Sequence, residues 1–281
     1  MYKKKLLAVL IPALALGLCV ASAYADDAGG QATVSAGFDY STGNYGTPFT
    51  TDIWDVPFTA GYQVDRWSVK LTVPWVSVSG ASNVIPGIGR VLNLNPHARG
   101  HGLGLGIGVG GTTPPTVTEG SASGLGDVVA QATYGLVRDD AAQFGLDLTG
   151  KVKFGTASAS KGLGTGQNDY GANLDAYKRF GAWNVFGGAG YMKYGSSQYI
   201  TLHNGWNANL GAGYKLDDVD DVGAYFYFRQ KISDSGYAQR ELTGYWNRRF
   251  GNAWRLQTYV LGGFSDGSPD WGVGGALRYA F

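Results

Sequence analysis

The chain has 281 residues, of which 46 are glycine, 14% are aromatic and only 15% are charged, with a formal net charge of +1. Glycine this abundant without a G-X-Y period excludes collagen, and the aromatic content excludes an intrinsically disordered chain. A balance of 22 basic and 21 acidic residues provides no excess positive charge to hold a nucleic acid.

Lys3, Lys4 and Lys5 precede an apolar run from Leu6 to Val20, which is followed by Ala21-Ser22-Ala23-Tyr24-Ala25. A basic start, a short apolar core and an A-x-A end predict a secretory signal over 1–25, cleaved after Ala25, with Ala23 as second choice. Cys19 lies inside this signal, and Leu18 before it is too large for a lipoprotein site. The exported chain, 26–281, then has no cysteine for a disulfide, thiol catalysis or a thiolate metal site. Losing three lysines leaves it slightly acidic.

Beyond residue 25 no run of about 18 apolar residues occurs, so a membrane-spanning helix is excluded. Period-2 alternation recurs instead. The clearest case puts Trp206, Ala208, Leu210, Ala212 and Tyr214 on one face, with Asn207, Asn209, Gly211, Gly213 and Lys215 on the other. Twelve such segments are predicted near 31–41, 51–64, 67–76, 124–137, 141–156, 169–179, 183–194, 206–216, 221–232, 237–249, 253–264 and 270–281. Short turns at 65–66, 138–140, 181–182, 217–220 and 251–252 alternate with longer loops at 42–50, 77–123, 157–168, 195–205, 233–236 and 265–269. The predicted fold class is all-β: a transmembrane antiparallel up-and-down barrel of about 12 strands in the outer membrane of a Gram-negative bacterium. Closure satisfies every backbone group without water, and a soluble sandwich has no need of the turn–loop alternation.

The tryptophans give an independent reading. With the N-terminus on the periplasmic side, Trp54, Trp75, Trp206 and Trp271 fall at the extracellular ends of their strands. Trp67, Trp183, Trp246 and Trp254 fall at the periplasmic ends. All eight share the apolar register, as two aromatic girdles facing outer-membrane lipid would. The last strand ends Leu277-Arg278-Tyr279-Ala280-Phe281, and Tyr279 with Phe281 resembles the signal read by the outer-membrane barrel assembly machinery.

The opposite register carries charge. Candidate lumen-lining residues are Asp127, Asp147, Lys151, Lys153, Asp175, Lys215, Arg229, Lys231, Glu241, Arg255 and Arg278, with Asp39, Asp55 and Lys70 on the same faces. Counting outward from the hairpin turns sets Lys151 between Asp127 and Asp175, sets Arg229 against Glu241, and leaves Lys153 without an evident partner. Such pairs either brace a filled interior or line a polar passage. Twelve strands lie between the filled interior of eight and the aqueous channel of sixteen. The loop 77–123 is the candidate plug or gate, because it is long and holds an apolar glycine run over 102–111; a mobile surface loop is the alternative.

Other motifs carry little. Gly106-x-Gly108-x-x-Gly111 lacks the βαβ unit of a dinucleotide site. His97 and His101 are four apart, but Gly100 and Gly102 argue against the helix that would make them a zinc pair. His203 with Ser196 or Ser197 lacks a third catalytic group. No catalytic residue, metal or cofactor is expected.

Gly124-Leu125-Gly126-Asp127-Val128, Lys151-Val152-Lys153-Phe154-Gly155-Thr156, Gly162-Leu163-Gly164-Thr165-Gly166-Gln167-Asn168-Asp169-Tyr170 and Ser265-Asp266-Gly267-Ser268-Pro269-Asp270-Trp271-Gly272 go beyond a generic barrel pattern. Over roughly 120–281, with weaker support at Asp39-Tyr40-Ser41-Thr42-Gly43, the chain resembles the outer-membrane transporter family named for the meta-pathway of phenol degradation. It departs at Gly155-Thr156, where that family usually has Pro-Thr. The resemblance implies a barrel linked to the passage of small compounds, aromatic or hydrophobic ones included, and implies no specific ligand. The expected function is passive passage of a small-molecule solute. A rim-active hydrolase and a filled structural or adhesive barrel are the alternatives, and the oligomeric state is left open.

Overall fold

The computed structural model describes residues 30–92 and 117–281. The predicted signal, His97, His101 and the glycine run 102–111 lie outside the described residues. The strands are β1 (Gln31–Gly43), β2 (Thr51–Val64), β3 (Trp67–Ala81), β4 (Val84–Ile85), β5 (Gly89–Arg90), β6 (Glu119–Leu125), β7 (Val128–Asp139) and β8 (Phe144–Phe154). They continue with β9 (Asp169–Phe180), β10 (Trp183–Lys193), β11 (Gly205–Lys215), β12 (Asp220–Arg229), β13 (Gln239–Phe250), β14 (Trp254–Gly263) and β15 (Trp271–Ala280). No helix occurs among the described residues.

Each wall strand pairs antiparallel with its sequence neighbour, and β1 pairs with β15 to close the wall. β6 and β7 both pair with β3 and together form the fourth span, so the closed barrel has twelve spans. β4 and β5 form a separate small hairpin. The predicted segment 124–137 is therefore broken between Leu125 and Val128. The long loop is shorter than 77–123, because β3 runs on to Ala81 and β6 begins at Glu119.

The outer face exposes large apolar side chains: Leu210 is 66% exposed, Val260 62% and Phe58 56%. Apolar exposure this continuous marks a surface made for a partner other than water, here the bilayer. All eight tryptophans stand in this outward register. Five of them pack on a tyrosine of the adjacent strand with ring centroids 4.8–5.0 Å apart: Trp54 on Tyr40, Trp67 on Tyr134, Trp183 on Tyr214, Trp206 on Tyr191 and Trp254 on Tyr279. Each such pair contributes about 0.5–1.5 kcal/mol beyond area burial. Tyr279 also meets Phe281 edge-on at 5.0 Å.

Turns at the end opposite the long loops, the end expected to be periplasmic, are tight. Gly181 and Gly251 take φ of 60° and 59°, which an L side chain rarely adopts. In the turn between β11 and β12, Asp217 accepts hydrogen bonds from the N–H groups of Val219 and Asp220, at 2.8 and 2.7 Å. Those bonds favour the ionised carboxyl and hold it below its usual range. That contribution is present above the ordinary Asp value and is lost as pH falls through the lowered one. The β7–β8 turn falls at residues 140–143 rather than 138–140, and Leu136 bulges out of register between Gly135 and Val137. Both displacements move every pairing in that hairpin.

Candidate functional site

The inner wall is built from tyrosine laid over glycine. Tyr225, Tyr227 and Tyr245 are buried with Phe186 and Tyr259 against them, all in the inward register. A Cβ at Gly223 would lie 2.3 Å from the Tyr245 hydroxyl oxygen, and one at Gly145 would lie 2.3 Å from the Tyr177 ring. The missing side chains let each ring lie along the wall instead of standing into the lumen. This lining was missed in the sequence, although the tyrosines share the parity of the inward glycines. Gly211 tests it: an added Cβ would sit 2.5 Å from Tyr225 Cβ and 2.7 Å from the Ala224 carbonyl oxygen, neither of which can swing away. Gly211→Ala is expected to cost about 1–3 kcal/mol in thermal unfolding in detergent. Gly262→Ala, where a Cβ meets nothing within 4 Å, is the control, and an equal loss at both sites would sink the packing account.

Between the rings the inner face is polar. Gln131, Thr133, Thr149, Lys151, Asn173, Asn207, Asn209 and Gln257 face inward yet remain partly exposed. Behind a closed wall, the solvent they meet is in the lumen.

The mouth at the long-loop end of the barrel, the end expected to be extracellular, is capped by loops that pack on one another. Ile85, Ile88 and Val91 from the segment 82–92 are buried with Ile200, Leu202 and Ile232 from two other loops. A second cluster joins Val84 and Leu163 to Tyr45, Ile53, Val76 and Val78. The Arg229 guanidinium reaches from the wall into this cap. It donates to the carbonyl oxygens of Gly87 and Ile88 at 2.7 and 2.6 Å and is 4% exposed. Arg90 donates to the Gly46 carbonyl and lies 6.0 Å from the Tyr237 ring.

The predicted charge pairs need correction. Lys151 stands opposite Gln131 and Gly171, not between Asp127 and Asp175: the bulge and the displaced turn shift the β7–β8 register, and the loop after β8 sets a β8–β9 register that brings Gly171 rather than Asp175 to Lys151. The lysine between two carboxylates is Lys153, whose Nζ lies 2.6 Å from Asp127 and 3.0 Å from Asp169. Those carboxylates also accept the N–H groups of Ala157 and Gly195, at 2.9 Å each, so the triad ties two loops to the wall. Arg229 stands opposite Gln239, while Glu241 stands opposite Tyr227; Arg229 is committed to the cap carbonyls instead. Asp147 and Asp175 face each other directly, and Arg138, turned inward by the bulge, pairs with Asp147 at 2.5 Å. Lys215, the last residue of β11, is exposed and paired with Asp218 of the following turn at 2.7 Å. Lys231 lies beyond the end of β12 and donates to the Asp234 carbonyl at 2.8 Å. Both are therefore rim residues. Arg255 and Arg278 face inward and stand opposite each other.

The rim serines are occupied structurally. Ser196 Oγ bonds both backbone groups of Leu202, and Ser197 Oγ accepts from Tyr199 and Ile200. His203 faces Asp234 at 2.9 Å, with both side chains exposed.

No family model matches the chain, and no curated protein sequence matches it. Among solved structures it is similar to an outer membrane channel from Pseudomonas putida F1, at 15% identity and a TM-score of 0.63, over 92% of this chain and 98% of that one. It is similar to the β domain of the Bordetella autotransporter BrkA, at 16% identity and a TM-score of 0.52, over 91% and 100%. It is also similar to the KdgM porin, at 9% identity and a TM-score of 0.50, over 89% and 99%. At these identities the likeness shows the fold, and the fold is that of an outer-membrane β-barrel.

Proposed function

We propose that the chain is a passive channel for small molecules in the outer membrane of a Gram-negative bacterium, closed at its extracellular mouth by the segment 82–92. The observation that carries this reading is a solvent-accessible polar inner face beneath a cap held by Arg229. An interior filled by side chains would leave those inward residues buried. Phe186 and Tyr259, the partly exposed rings of the aromatic lining, support solutes with a planar apolar ring, in keeping with the resemblance to the phenol meta-pathway transporters; ring stacking on such faces is favourable without any specific polar contact.

Planar-bilayer conductance of the refolded chain tests the reading. Brief openings are expected from the native chain, and a chain that stays silent even when the cap is released would overturn it. Lys151 gives a second test. It faces the lumen with no ion-pair partner within 4.0 Å among the described residues. Lys151→Met is expected to leave the thermal midpoint unchanged or raised and to move the reversal potential in a salt gradient toward cations. An unmoved potential would place Lys151 off the conducting path.

A further inference from the structure

Three arginines stand in one row on the inner face near the periplasmic turns. Arg249 on β13 lies directly opposite Arg255 on β14, and Arg255 lies directly opposite Arg278 on β15. β1 continues the row with Ser35 opposite Arg278. Directly opposed residues on one face have Cβ atoms about 4.5–5.5 Å apart, and like charges so placed destabilise a sheet. Three other inward cations of this barrel are closely held: Lys153 by two carboxylates, Arg138 by Asp147 and Arg229 by two carbonyls. The row has no carboxylate this close among the described residues, and Asp221 acts on Arg255 only from beyond 4.0 Å. None of its members forms an ion pair within 4.0 Å among the described residues. Arg249 gives one N–H to the Asp218 carbonyl, and the acid on the next strand, Asp221, is held by Asn247 at 2.8 Å.

We propose that Arg249, Arg255 and Arg278 form a binding site for a small oxyanion, carboxylate or phosphate, at the periplasmic mouth. Guanidinium groups suit this chemistry, because each presents two parallel donors to two oxygens of one anion. Gln257, two residues along β14 on the same face, and Ser35 add neutral donors beside them. Arg255 and Arg278 are half-buried, so an anion there is partly desolvated and held more strongly than on an open surface. The row faces the lumen, so a lipid headgroup does not reach it and the anion is a solute. This deepens the channel reading by naming the solute class, and it rests on that reading for its transport consequence alone.

The test is thermal unfolding of the detergent-solubilised full chain in potassium phosphate, in potassium acetate and in potassium chloride, at matched ionic strength. Phosphate and acetate are expected to raise the midpoint above chloride in the native chain, as a ligand of the folded state does. Arg255→Gln with Arg278→Gln is expected to abolish the shift, through a loss of at least about tenfold in affinity. This double variant relieves like-charge repulsion, so its folding is favoured, and Arg255→Lys with Arg278→Lys keeps the charge while losing the paired donors. The lysine variant should keep a weaker shift. An equal shift in native and glutamine forms, or no shift in the native form, overturns the site. The reversal potential in a potassium chloride gradient is read on the same proteins. A silent bilayer with an arginine-dependent thermal shift removes the channel and leaves the site. Steady conduction with no arginine-dependent shift removes the site and leaves the channel.

Discussion

Arg229→Ala is expected to open the barrel. The guanidinium makes two charge-assisted hydrogen bonds to carbonyls of the segment 82–92, each worth about 1.5–3 kcal/mol. Removing it leaves two carbonyl oxygens without their donor at a buried position. The cap is also held by apolar burial, since Val84, Ile85 and Val91 are fully buried and Ile88 is 7% exposed. Against that burial stands the ordering of the segment's backbone, about 1–2 kcal/mol for each residue fixed. The two opposing contributions are each larger than the latch, so loss of the latch shifts the balance without abolishing the cap. Opening frequency in planar bilayers should therefore rise several-fold while brief closures persist. Arg229→Lys, a single point donor, should fall between the native chain and the alanine form. A native opening frequency in Arg229→Ala would refute the latch. A rise equal in the lysine and alanine forms would assign the effect to lost packing rather than to the paired hydrogen bonds.

The sequence made the twelve spans legible because each crosses the bilayer, and a bilayer forces one face of every strand to be apolar. The same reason explains where the reading stopped. Ser77 and Ser79 on β3, and Ser121 and Ser123 on β6, stand in the outward register beyond Trp75 and Leu125. There the lipid ends and no apolar alternation is needed, so five residues at each end of the predicted loop are strand without looking like strand. Pairing across hairpins was less legible. One bulged residue, Leu136, and a turn at 140–143 were enough to move Lys151 away from Asp127. Arg229 was found as an inward cation, but its partners are backbone carbonyls, which no side-chain complementarity reveals.

The register correction moves the largest stability effect from Lys151 to Lys153. Lys153 is 13% exposed at its side chain, between Asp127 at 12% and Asp169 at 1%. Lys153→Met would leave two neighbouring carboxylates with no cation between them. Removing one partner of a buried ion pair costs about 3–5 kcal/mol, because the charge left behind has lost both water and partner. The cost should be structural as well as electrostatic. Asp127 also holds Ala157, and Asp169 also holds Gly195, so repulsion between the two acids would pull on both loops. A fall of this size is expected in the thermal midpoint of Lys153→Met in detergent, while Lys151→Met should show none. Adding Asp169→Asn to Lys153→Met removes one of the two stranded charges and should recover part of the loss. A lower midpoint for Lys151→Met than for Lys153→Met would place the lysine between the carboxylates back at Lys151, and equal midpoints would refute the stabilising role of the triad. Loss with no recovery in the double variant would mean that the lost bonds of the Lys153 ammonium, rather than repulsion between the two stranded acids, carry the effect.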